Sequence, residues 1–120
     1  MNFTIPGSLP TLNEIIDASK SHWAEYHEMK SDYTGLVALA CRKISKMKKV
    51  DVEITWYCGS RRQDPDNIMA GQKFIFDGLV AAGKLENDGW KQVRNITHRF
   101  LIDKKKPRIE VVLTEVSGEG

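Results

Sequence analysis

The chain has no long hydrophobic run; polar or charged residues interrupt every apolar stretch well short of the ~20 residues that a membrane-spanning helix requires. No membrane-spanning helix is therefore expected within these residues. The opening Met1–Gly7 has no basic segment followed by an apolar one, so no secretion signal is expected and the chain reads as intracellular. Cysteine is scarce: Cys41 and Cys58 stand far apart and share no ligand-like spacing with His22, His27 or His98. That pattern argues against a structural zinc site, and buried free thiols are expected rather than a disulfide. A net charge of +2 is too small to argue for a nucleic-acid partner by itself. With 120 residues the chain is expected to form one domain, residues 1–116, with a flexible tail at 117–120.

What is present is unevenly distributed. Arg42-Lys43-Ile44-Ser45-Lys46-Met47-Lys48-Lys49 carries five cationic side chains and no acid, and Arg61-Arg62 and Lys104-Lys105-Lys106 are further basic clusters. Acids gather at Asp64 to Asp66, at Asp77, at Glu86 to Asp88 and in the tail. Basic clusters of this kind supply phosphate contacts and steering, or simply solvate helix ends and turns.

The hydropathy pattern gives an α+β class with order β-α-β-α-β-β: helices packed on a small mixed sheet. Asn2–Ile5 reads as an opening strand closed by Pro6-Gly7, and residues 12–49 as helix-rich, with room for a break near Ser31-Asp32 and Gly35. Val50, Val52, Ile54, Trp56 and Cys58 alternate with polar neighbours, the mark of a strand buried on one face. A second helix is expected from about Asp66 to Ala82, with Gly83 at its left-handed cap. Residues 92–102 and 108–115 read as an antiparallel hairpin, with Ile96, Phe100, Ile102, Ile109, Val111 and Leu113 inward. Trp56, Tyr57 and Trp90 are expected in the core.

The chemistry concentrates in Arg61-Arg62-Gln63-Asp64-Pro65-Asp66-Asn67. Pro65 disfavours helical backbone at Asp64 and suits an early helical position, so two carboxylates flank a helix start. On one continuous helix, Lys73 and Asp77 fall within about 20° of the direction of Asp66. After Gly83 the chain reverses, which can return Asp88 towards the helix. Carboxylates brought together this way bind magnesium, a Lewis acid that also activates water for phosphodiester hydrolysis. A nearby lysine stabilises charge growing on the phosphoryl oxygens, and arginines hold flanking phosphates. The same residues also read as helix capping, with Lys73 and Asp77 an ordinary i,i+4 pair.

At these residues the sequence resembles the RusA family of Holliday junction resolvases. The likeness rests on Arg61 to Asn67, on Gln72-Lys73-Phe74-Ile75-Phe76-Asp77-Gly78-Leu79, on Gly83 and Asp88, and on the opening Ile5-Pro6-Gly7-Ser8-Leu9-Pro10-Thr11-Leu12-Asn13. It implies a homodimeric, magnesium-dependent endodeoxyribonuclease (manganese as substitute) that cuts four-way junctions by paired symmetric hydrolysis in recombination and repair. It further implies a bacterial cytoplasm and a phage or prophage origin. Residue by residue, it implies Asp64, Asp66 and Asp88 as metal-binding catalytic acids, Lys73 as catalytic lysine and Asp77 as a further helix carboxylate. Arg61 and Arg62, with Asn13, Asn67, Lys46 and Lys49, are the implied DNA-binding residues. Two departures stand out: the stretch from Asn67 to Lys73 is three residues longer than the family pattern, and Asn87 replaces one member of an acidic pair. They motivate one alternative, an inactive junction-binding protein; a nuclease of the same chemistry acting on flaps, forks or RNA, and a structural domain with capped helices, are the other readings.

Overall fold

A computed structural model describes residues 1–117; the rest of the expected tail, residues 118–120, lies outside the described residues. After β1 (Asn2–Pro6), Thr11 caps α1 (Leu12–Ser21) in a reciprocal box. The Thr11 hydroxyl accepts the Glu14 N–H at 3.3 Å, and the Glu14 carboxylate accepts the Thr11 N–H at 3.2 Å. One extended residue, His22 (φ −164°, ψ 131°), separates α1 from α2 (Trp23–Ala40). The helix break therefore falls at His22, not at Ser31-Asp32 or Gly35, where the sequence left room for one. Gly35 is carried inside α2 because burial of Val37 against the second helical layer outweighs an interior glycine's cost of about 1 kcal/mol. Residues 41–49 are turn and loop rather than helix, and from that loop Ile44 and Met47 still reach the core.

β2 (Val50–Cys58) follows, then α3 (Pro65–Met69), α4 (Gln72–Ala81), β3 (Val93–Ile102) and β4 (Arg108–Glu115). The four strands form one mixed sheet in the order β1-β4-β2-β3. This corrects the expected hairpin: β3 and β4 are not neighbours. β2 lies between them, parallel to β3 (Cys58 beside Ile102) and antiparallel to β4 (Trp56 beside Ile109). Residues 103–107 are long enough to cross the end of β2, and the Asp103 N–H donates to the Cys58 carbonyl at 2.8 Å as they pass. Alternation along β3 fits either neighbour, so the pattern alone does not choose between them.

One face of the sheet is buried. Phe3 and Ile5, Val52, Ile54 and Trp56, and Ile109, Val111 and Leu113 pack with Val37 of α2 and Phe74, Ile75 and Leu79 of α4. The opposite face carries Thr4, Glu53, Thr55 and Glu110 and has no covering layer. β3 is an edge strand that overhangs the helices. Ile96, Leu101 and Ile102 are 40–49% exposed, so Ile96 and Ile102 are not the inward residues the alternation suggested. Trp90, 95% exposed, is likewise no core residue, whereas Trp56 is.

α4 ends as its glycine dictates. Gly83 (φ +74°) takes the left-handed position, and the Lys84 N–H reaches back to the Leu79 carbonyl at 2.9 Å. Gly78 serves a different purpose, since a Cβ there would sit 2.4 Å from Val37 Cγ1 and 2.5 Å from Val37 Cβ. Only glycine lets α2 and α4 approach this closely. Gly78→Ala is expected to lower stability by about 1–3 kcal/mol through overpacking, despite alanine's better helix propensity. Gly35→Ala, with open space around the added methyl, is expected to raise it by roughly 0.5–1 kcal/mol. Urea unfolding of the two variants measures both signs.

Candidate active site

The loop that leaves β2 delivers Asp64 in extended backbone (φ −74°, ψ 151°), as the following proline requires, and Pro65 takes the first position of α3. Asp64 stands at the N-cap yet its side chain accepts no cap hydrogen bond. Asp66, in the first turn, is also exposed. An acid present only to cap would direct its carboxylate at the free N–H groups of the helix. Asp64 leaves its carboxylate facing outward instead. Beside it, Arg61 and Arg62 are exposed and carry no ion pair among the described residues.

Asn67 holds this loop. At 9% exposure it is the buried polar residue of the domain's described part. Its Oδ1 accepts the backbone N–H of Asn13 at 3.0 Å, and its Nδ2 donates to Gln63 Oε1. The amide therefore satisfies a free N–H in the first turn of α1 while fixing the residue before Asp64. Asn67 and Asn13 thus meet through an internal contact, and only the Asn13 side chain faces outward.

Lys73 does not lie on one straight helix with Asp66. The Gly71, Lys73 and Phe74 N–H groups bond to the Ile68, Ala70 and Gly71 carbonyls, three residues back, so a tighter 3₁₀ turn joins α3 to α4. Each residue so wound adds about 20° to the helical phase, so Asp66 and Lys73 stand on two joined helices rather than on one continuous helix. Gly71 is the reason for the joint's position. A Cβ there would lie 2.9 Å from Leu9 Cβ and 3.2 Å from the Trp56 indole. Lys73 and Asp77 do share a face and pair at 3.7 Å. Asp77 turns inward, and its Oδ2 is buried without a hydrogen bond.

Asp88 is elsewhere. It lies just before β3, at the end where Val50 pairs with Val93, in a groove with Trp90 and Arg94. Asp64 lies beyond the other end, in a groove formed with Phe100, Leu101 and Ile102. The parallel strands between them span about 26 Å at ~3.3 Å per residue. Among the described residues no three His, Cys, Asp or Glu side chains come close enough to hold a metal. One chain therefore brings Asp64 and Asp66 to one end of the sheet and leaves Asp88 at the other. Asn87 acts locally, its Oδ1 accepting the Asp88 N–H at 2.8 Å. The basic residues divide in the same way. Arg61 and Arg62 accompany Asp64, while Lys46 and Lys49 lie in the loop whose Met47 and Val50 N–H groups bond to Lys84 and Gln92.

Two features of the site region escaped the sequence reading. The Trp56 Nε1–H donates to His98 Nδ1 at 2.9 Å, and His98 Nε2 faces Gln72 Oε1 at 3.2 Å. An indole N–H only donates, so Nδ1 must accept and the imidazole is neutral, with its proton on Nε2 directed at Gln72. Burial lowers the His98 pKa from 6.5, in agreement with that state. Its place on the buried parity of β3, opposite Ile54, is the signal that could have found it. The second feature is Arg108, whose guanidinium lies 3.8 Å over the Tyr57 ring and bonds Glu110 and Asp103 at 2.8 Å. Those bonds hold the Asp103 carboxyl below the usual carboxylate range. Burial raises the Cys58 thiol, so beside the Asp64 groove it is a neutral lining group.

The chain matches no model of a known protein family and no curated protein.

Asn67→Ala is expected to cost about 1–3 kcal/mol in thermal or urea unfolding, because it strands the Asn13 N–H and the Gln63 amide. His98 gives a pH signature. Its folded pKa lies below its unfolded value, so the unfolded chain protonates first and stability falls as pH drops below 6.5. Unfolding titrations should show a smaller fall in that window for His98→Asn than for the wild type.

Proposed function

We propose that this protein is a magnesium-dependent endonuclease of the RusA type that cuts branched DNA, four-way junctions in particular, as a homodimer. The observation that carries the reading is the pair of outward carboxylates at Asp64 and Asp66. Both are exposed, Asp64 makes no cap hydrogen bond, Asn67 braces the loop from beneath, and two arginines without an ion pair among the described residues flank them. Helix capping leaves that arrangement unexplained.

The donors suit magnesium, which takes oxygen ligands, keeps several waters and is held by one or two carboxylates. Asp64 and Asp66 would hold it. When bound, the ion supplies a Lewis acid at the phosphoryl oxygens and lowers the pKa of water. Arg61 and Arg62 clamp the phosphates on either side of the bond to be cut, and bidentate contacts fix the register of the strand. Lys73, exposed and only loosely held by Asp77, is the cation available to offset charge growing on the phosphoryl group.

The exposed edge of β3 supports the dimer. A ten-residue edge strand bearing Ile96, Leu101 and Ile102 invites strand pairing unless something covers it. Antiparallel pairing of β3 with a second copy about a two-fold axis reverses the strand, so its start lies beside this chain's β3 end. Asp88 of the partner subunit then comes to the end that holds Asp64 and Asp66. Each of the two metal sites is completed across the interface, and two symmetric sites suit paired cuts in a four-armed substrate.

Asp66→Asn is expected to reduce magnesium-dependent cutting of a synthetic four-way junction by more than about a hundredfold while junction binding persists in gel shifts. Asp88→Asn should do the same. Mixing the two inactive variants restores nicking, because one site of the mixed dimer then has every acid intact. If the mixture stays inactive, the shared site is wrong; if wild type binds the junction and never cuts it, the protein is a binding module.

A further inference from the structure

Next to the Asp64 groove lies a second cavity, of about 530 Å³, enclosed by the loop after β1, the end of β2 and the turn before β4. That is within the roughly 300–1,000 Å³ of small-molecule sites. The two hollows share Cys58, Ser60, Gln63 and Ile68 as a common wall, so whatever enters the second lies beside whatever is held at Asp64. Of its lining residues, the proposed cutting reaction uses Arg62 alone.

Its lining favours a flat, neutral ligand with amine hydrogens. Tyr57 and Arg108, whose guanidinium stacks on the Tyr57 ring, are both among the lining residues. Arg108 is already neutralised by Asp103 and Glu110, so it offers a stacking plane more than a free charge. Glu14 lines the cavity with a carboxylate that is half used. Its Oε1 accepts from the Thr11 N–H and hydroxyl in the capping box, at 3.2 and 3.1 Å, while Oε2 has no hydrogen bond among the described residues. A carboxylate repels phosphate and accepts from an exocyclic amine, as acids do with the cytosine N4 amine in base recognition. Aromatic and guanidinium planes stack on an unpaired base.

We propose that this cavity receives one nucleobase, unstacked from the branched DNA beside the scissile phosphate, and that Glu14 Oε2 selects a base bearing an exocyclic amine. This rests on the endonuclease reading given above. The cavity would then set the sequence position of the cut, while the metal-binding acids perform it. Opening a duplex to release a base costs a few kcal/mol, least where pairing is already disturbed. A branch point meets that condition, so this pocket and a preference for branched substrates reinforce each other.

The test is cleavage of a set of four-way junctions in magnesium, with the nucleotides flanking the cut varied one at a time, by wild type and Glu14→Gln. Glutamine keeps a capping oxygen for Thr11, so equal melting temperatures verify that α1 is intact. Wild type is expected to prefer an amine-bearing base at one flanking position by about tenfold or more, and Glu14→Gln to reduce that ratio to about twofold. Cutting with no base preference, or with one that Glu14→Gln leaves unchanged, overturns the pocket and leaves the nuclease standing. If no junction is cut at all, both readings fall.

Discussion

β2 and β3 run parallel, and a parallel neighbour cannot be reached by a tight turn. The chain must leave one end of β2, travel back along the sheet and enter β3 at the other end. The segment that makes this journey is α3, the 3₁₀ joint and α4, and it carries nearly every residue that bears chemistry. The crossover therefore determines three things at once. It lays α4 over the buried face, where Phe74, Ile75 and Leu79 close the core. It places the outward acids at the start of the crossover and Asp88 at its finish, a sheet length apart. It also leaves β3 as the last strand, with an unpaired edge. The divided acids and the open edge are thus two consequences of one connection, and the proposed two-fold partner on that edge would answer both.

The crossover is held close by two glycines and one amide. Gly78 brings α4 against Val37 of α2, and Gly71 seats the joint on Trp56 and Leu9. Asn67 ties the start of α3 to the start of α1. With these contacts the Asp64 loop rests on the two ends of a packed layer rather than hanging from β2. The Trp56–His98–Gln72 chain adds a polar fastening under the same joint, from the indole in the core to the first residue of α4. Under the proposed function this rigidity matters, because small displacements of a catalytic group are costly.

Charge is partitioned just as sharply. On the open face of the sheet and at its margins, Arg94 pairs with Asp51, Arg99 with Glu53 and Arg108 with Asp103 and Glu110. Those cations are spent on neighbours. Arg61, Arg62 and Lys46 carry none of those pairs, and they stand in the loops at the two sheet ends. A net charge of +2 conceals this division. Counting clusters along the chain found the same loops, because free cations gather where no strand partner is available, whereas paired ones alternate along strands.

How much was legible follows from range. β2 and the inward side of β4 were read correctly because alternation against a covered face is a local pattern, and Gly83 because a left-handed cap is local chemistry. The acids at the helix start were legible for the same reason, since Pro65 governs its own neighbours. The break at His22 and the loop at residues 41–49 were missed within the helical region, and the other misses turn on tertiary contacts. Alternation in β3 could not reveal that β2 intervenes before β4, nor that the sheet overhangs its helices at Ile96 and Ile102. The joint between α3 and α4 was not legible because Gly71 answers to Trp56 and Leu9, residues distant in sequence. Spacing left open whether Asp88 meets Asp64, for the deepest reason. The turn after Gly83 can bring Asp88 back, but it feeds a parallel strand, and within one chain the direction of β3 leads it away from Asp64.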